Sequence, residues 1–169
     1  MNTITLKGRI LFNPTDKTKK HIAQSSWKII AMIMFTGDVS EYYAWFIKKR
    51  YLLDLNKPLR GAHISFINDK ISNIDAEDDE ARLKRWEWLS KKWNGKEIEV
   101  VLNVDARTNG KHWWLNIPEE NRVGIHDIRN EIGLGRPNFG LHMSLGYANE
   151  KSIEHSQYIH EVLKRGLTK

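Results

Sequence analysis

Gly61-Ala62-His63-Ile64-Ser65-Phe66 sets the reading of this chain, because Gly140-Leu141-His142-Met143-Ser144-Leu145 repeats it. Each run carries His, an apolar residue, Ser and an apolar residue. Side chains on a β-strand alternate between faces, so His63 and Ser65 share one face while Ile64 and Phe66 point into a core. His142 and Ser144 stand in the same relation to Met143 and Leu145. Two such strands side by side present two imidazoles and two hydroxyls to one groove: an acid, a base and two hydrogen-bond donors, the set that metal-free phosphodiester cleavage needs. The glycines ahead of each motif allow backbone or ligand to approach closely. The competing reading is a pair of strands with hydrogen-bonded core histidines. About one His in forty begins such a run by composition alone, and the chain has seven, so two matches argue for the groove.

Outward from these motifs, the pattern predicts strands over 4–12, 27–35, 97–104, 113–117 and 139–147. Thr108-Asn109-Gly110-Lys111 is a hairpin turn after the 97–104 strand, with 113–117 as the returning strand. Helices are expected from Ser40, as a cap, through Arg50; over 76–93, with an apolar stripe of Leu83, Trp86, Leu89 and Trp93; from Pro118 through Ile125, Ile128 and Ile132; and over 152–167. Trp45 and Phe46 are read as core. Counting by twos from His142 puts Gly146 on the groove face, where it leaves room for a ligand. Tyr147 stands at the strand end, within reach of a phosphate. Trp113 and Trp114 face opposite ways: either one lines the groove as a stacking surface, and the alternation does not say which, or both pack, one in the core and one on a helix. Arg60, an odd number of residues before His63, faces away from the groove on a regular strand. Asn13-Pro14-Thr15-Asp16 reads as a turn, and Lys17, Lys19 and Lys20 as a basic loop.

These residues resemble the 2H phosphoesterase superfamily, the LigT-like proteins, whose members carry two His-x-Ser/Thr motifs in two pseudo-symmetric lobes. Tyr42-Tyr43-Ala44-Trp45-Phe46, Asn56-Lys57-Pro58-Leu59-Arg60-Gly61, Arg107-Thr108-Asn109-Gly110-Lys111 and Phe139-Gly140-Leu141-His142 are similar to a small phage and bacterial branch of it. Both motifs have Ser where many relatives have Thr, which keeps the hydroxyl. The resemblance implies an α+β fold in one domain spanning 1–169, bilobal, with two antiparallel sheets forming a central groove and helices outside. It implies RNA-terminal, 2′,3′-cyclic, 2′-5′ or cyclic-oligonucleotide phosphodiesters as substrates, in RNA repair or in destroying a nucleotide signal.

Composition bounds this reading. With 27 Lys and Arg against 21 Asp and Glu, the formal charge is +6, which suits an anionic partner. No cysteine is present, which excludes disulfides, Cys-ligated zinc and a thiol nucleophile. No apolar run of 18 residues or signal-peptide pattern occurs, so a cytoplasmic protein that does not enter membranes is expected, in the host cytoplasm if phage-encoded. A monomer is expected. No dinucleotide fingerprint or Walker loop is present, and His160-Glu161-Val162-Leu163-Lys164 lacks the second His of a zincin helix. Neither a cofactor nor a metal is expected; a site on His63 and His142 would want a third ligand.

The expected catalytic residues are therefore His63, Ser65, His142 and Ser144, with Tyr147, Trp113, Trp114 and Arg60 as substrate-binding candidates. One His acts as base on water or a ribose 2′-hydroxyl and the other as acid on the leaving oxygen. The Ser hydroxyls donate to non-bridging phosphate oxygens. A non-catalytic RNA- or nucleotide-binding module and a purely structural protein are the alternatives.

Overall fold

A computed structural model describes residues 2–14, 28–37, 39–58 and 60–166. The basic loop at Lys17, Lys19 and Lys20, most of the turn after Asn13, and Trp27 lie outside them. Seven strands form one curled antiparallel sheet: β1 (Thr3–Phe12), β2 (Lys28–Phe35), β3 (His63–Lys70), β4 (Glu97–Asn103), β5 (Arg107–Thr108), β6 (His112–Asn116) and β7 (His142–Tyr147). Their order across the sheet is β4-β1-β2-β3-β7-β6-β5. The α+β class is as expected. The two separate sheets are instead one sheet, because the motif strands β3 and β7 pair with each other at its centre, where His63 stands opposite Ser144.

Four helices accompany the sheet: α1 (Val39–Tyr51), α2 (Asp79–Trp93), α3 (Val123–Asn130) and α4 (Glu150–Gly166). Ile64 and Phe66 of β3 and Met143 and Leu145 of β7 join one apolar cluster with Tyr43 and Ile47 of α1, Trp86 and Leu89 of α2, and Ile125 and Ile128 of α3. Period-2 alternation on the strands and 3.6-residue spacing on the helices meet there, which leaves the His and Ser side chains on the opposite face of the sheet. The buried Arg129 pins α3 to β3. Its guanidinium donates to the Phe66 carbonyl at 2.7 Å and to Asp69 at 2.8 Å, and to the carbonyl of Gly135 at 2.8 Å.

Several expectations shift for local reasons. Ser40 is the second residue of α1, so it is not the cap. Helix α2 starts later than expected, because the Asp78 carboxylate accepts from the Ala81 amide at 2.8 Å and caps it there. Leu83 is exposed while Trp86 and Leu89 are buried. A 3-10 turn over Glu119–Asn121 precedes α3, and Ile125, Ile128 and Ile132 are all buried as the spacing predicts. Trp45 is 56% exposed, and Phe46 packs only partly against the core. Trp45 shares an aromatic cluster with Tyr42, whose ring also stacks on Phe46. Among the described residues no helix is long and apolar enough to cross a membrane.

Candidate active site

The register of the central strands builds the site. His63 pairs with Met34 of β2 on one side and Ser144 of β7 on the other, and Ser144 pairs with Trp114 of β6. Continuing the antiparallel register by two residues sets Ser65 opposite His142, which pairs with Asn116 on its far side. The two motifs are thus reciprocal: the His of each faces the Ser of the other. Directly opposed side chains start about 5 Å apart and diagonal ones about 7–8 Å apart. On that extended register the imidazoles occupy one diagonal of the square and the hydroxyls the other.

Both imidazoles are held the same way. The Nδ1 of His63 lies 2.9 Å from the Gly61 carbonyl, and the Nδ1 of His142 lies 2.7 Å from the Gly140 carbonyl. A carbonyl oxygen only accepts, so each Nδ1 carries the proton and donates it. Nε2 is then the atom that gains or loses a proton in each ring. The glycine ahead of each motif supplies this carbonyl from the turn entering the strand, which also explains why β7 begins at His142 and not at Phe139. His63 is buried, at 5% exposure, and His142 is half-buried.

A groove of about 570 Å³ opens over this face. His63, His142 and Ser144 line it with Trp113, Trp114, Gly146 and Tyr147, and with Pro58, Lys111 and His112. Ser65, half-buried, sits one step along the same face, just outside this lining. Arg60 stands in the turn before β3, outside the groove, with Nε and one terminal nitrogen buried and unpartnered among the described residues. Among the described residues no carboxylate lines the groove. Among the described residues no three His, Asp or Glu side chains cluster as metal ligands. A larger open depression of about 850 Å³ at the other end of β3, bordered by Lys28, Asn68, Lys70 and Asn138, holds none of the candidate residues.

The tryptophan ambiguity resolves through the register. Trp114 is opposite Ser144 on the imidazole face, with its ring 5.8 Å from that of His142 and its Nε1 donating to Asn116 Oδ1 at 3.0 Å. Trp113 is buried against Tyr51, at 5.1 Å between ring centroids, and borders the groove where a bulge shifts the pairing between the two tryptophans. Gly146 does not make room for a ligand. A Cβ there would lie 2.6 Å from the Asn56 carbonyl oxygen, so the glycine serves the close approach of the chain that leads into the first motif. That approach is fixed by Asn56 N–H donating to the Tyr147 carbonyl at 2.8 Å and by Tyr147 N–H donating back at 3.1 Å. Tyr147 stands exposed at the groove end.

Sequence reasoning missed Pro58, Lys111 and His112 as groove residues. His112 lies two residues before Trp114 on β6, so its face followed as soon as Trp114 was placed. No protein-family profile, curated protein or solved structure matches the chain.

Proposed function

We propose that this chain is a phosphodiesterase that uses His63 and His142 as a general acid–base pair on a nucleotide or RNA phosphodiester, in the manner of the 2H phosphoesterases. The observation that carries the reading is the pairing of the two His-x-Ser strands at His63 and Ser144, with each imidazole held by the same Nδ1 to glycine-carbonyl bond. Evolutionarily unrelated core histidines have no reason to share a tautomer, a face and a groove. On this reading the halves β4-β1-β2-β3 and β7-β6-β5, which meet between the motif strands, take the part of the two lobes.

With a phosphodiester in the groove, the neutral imidazole takes a proton at Nε2 from water or from the ribose 2′-hydroxyl. The attacking oxygen bonds phosphorus, and the P–O bond to the leaving oxygen breaks. The protonated imidazole on the far side supplies that oxygen with a proton from its own Nε2. Charge grows on the non-bridging oxygens, and the Ser65 and Ser144 hydroxyls donate to them. The ring of Trp114, beside His142, offers a face for a nucleobase. The described groove lining carries Lys111 and no carboxylate, which suits an anionic ligand.

The test is incubation with 2′,3′-cyclic nucleotides, 2′-5′ oligoadenylate, RNA with a cyclic phosphate end and cyclic dinucleotides, with and without EDTA, followed by chromatography. Product from at least one, undiminished by EDTA and lost in His63→Ala and His142→Ala, is expected. Binding without turnover would convert the reading to a nucleotide-binding module. Neither binding nor turnover would remove it.

A further inference from the structure

The groove continues past the histidine–serine square to the β5–β6 hairpin, where the proposed chemistry uses nothing. Lys111 and His112 line it there, both exposed. Among the described residues the Lys111 ammonium has no ion-pair partner, and the His112 ring lies 6.3 Å from the Tyr147 ring between centroids. Elsewhere Lys48 is paired with Asp54 and Lys57 with Glu41.

The backbone that presents these two side chains is held rigidly. Gly110, in the left-handed region at φ 93°, closes the turn. Its amide donates to Thr108 Oγ1 at 2.9 Å. The Lys111 and His112 amides both donate to Asn109 Oδ1, at 3.2 and 2.8 Å. The Lys111 carbonyl accepts from the Ala148 amide at 2.8 Å. With these backbone groups satisfied, the hairpin offers a ligand its side chains. His112 and Trp114 stand two positions apart on β6, about 7 Å along the strand, and Trp114 is opposite Ser144. A cationic and hydrogen-bonding pair therefore stands one aromatic ring's width beyond the scissile position, a span that successive phosphates of one nucleotide chain bridge.

We propose that Lys111 and His112 form a second anion subsite for the phosphate one nucleoside away from the scissile one. Resting on the phosphodiesterase reading, this makes the substrate a nucleotide chain, linear or cyclic, and not a lone cyclic mononucleotide. The intervening nucleoside lies over Trp114.

The test separates binding from turnover. Affinities of adenosine 3′-monophosphate and adenosine 3′,5′-bisphosphate are measured by titration calorimetry, with wild-type protein and with Lys111→Met and His112→Gln. The bisphosphate is expected to bind at least tenfold more tightly to wild type, and Lys111→Met is expected to erase most of that difference. Equal affinities of the two ligands for wild type, or a preference untouched by both substitutions, would overturn the subsite whether or not the protein turns over. In parallel, kcat/KM is compared for a nucleoside 2′,3′-cyclic phosphate with and without a 5′-phosphate, for a linear dinucleotide and for a cyclic dinucleotide. Preference for the 5′-phosphorylated form supports the subsite, and the last two substrates tell linear from cyclic chains. Tight bisphosphate binding with no turnover of any substrate would leave the subsite standing and remove the phosphodiesterase reading alone.

Discussion

Replacing His142 by alanine removes one corner of the square while leaving its frame. The ring is half-buried and makes one hydrogen bond, to the Gly140 carbonyl at 2.7 Å. Its loss costs the fold about 0.5–1.5 kcal/mol. If the imidazole transfers a proton in the transition state, the rate falls by about 10² to 10⁴, or roughly 2.7–5.5 kcal/mol at 1.36 kcal/mol per decade. The kinetic effect therefore exceeds the stability effect, and a folded, inactive protein results. His63→Ala is expected to cost as much in rate and more in stability, about 0.5–3 kcal/mol, because that ring is buried. Acid and base act in one step, so the double variant should be little slower than either single one. The assay is kcat/KM from pH 5 to 9, with thermal unfolding of each variant. Wild type is expected to give a bell-shaped profile, and each single variant to lose one limb. A variant that is folded and within a few-fold of wild-type kcat/KM would take that histidine out of the reaction.

Trp114→Ala should raise KM far more than it lowers kcat, by about 1–3 kcal/mol of lost stacking; an unchanged KM would detach the ring from substrate. Gly146→Ala places a Cβ 2.6 Å from the Asn56 carbonyl oxygen, and urea unfolding should show a loss of about 1–3 kcal/mol from overpacking. Arg129→Met strips Asp69 of its buried partner, with an expected loss of about 3–5 kcal/mol in the same assay. Burial, with the nearby Arg136 charge second, holds His126 below its ordinary pKa. The folded state then binds fewer protons than the unfolded one. Stability should be full above about pH 6.5, the unfolded value, and decline as pH falls from there through the depressed folded value. In His126→Gln that part of the acid-side decline should disappear from unfolding free energies measured between pH 5 and 8.

What the sequence determined by itself was local. Alternation fixed which side of each motif strand carries chemistry, and the longer strands and the buried Ile125-Ile128-Ile132 row follow from periods of 2 and 3.6; the Asn109-Gly110 turn is legible too, but it joins β6 to the short β5 and not to β4, which pairs with β1 at the other edge of the sheet. The candidate residues His63, His142 and Ser144 were legible because a repeated pattern with polar residues at alternate positions needs no partner to be seen. Only the tertiary structure decided how the motifs meet. The single sheet, the reciprocal register, the choice of Trp114 over Trp113 and the arrival of Lys111 and His112 all depend on strand pairing between segments far apart in the chain. Such pairing depends on which faces pack together and where a bulge shifts the register. Gly146 shows the limit from the other side: a missing side chain reads the same in sequence whether a ligand or the Asn56 backbone fills the space, and only the neighbour across the fold tells them apart.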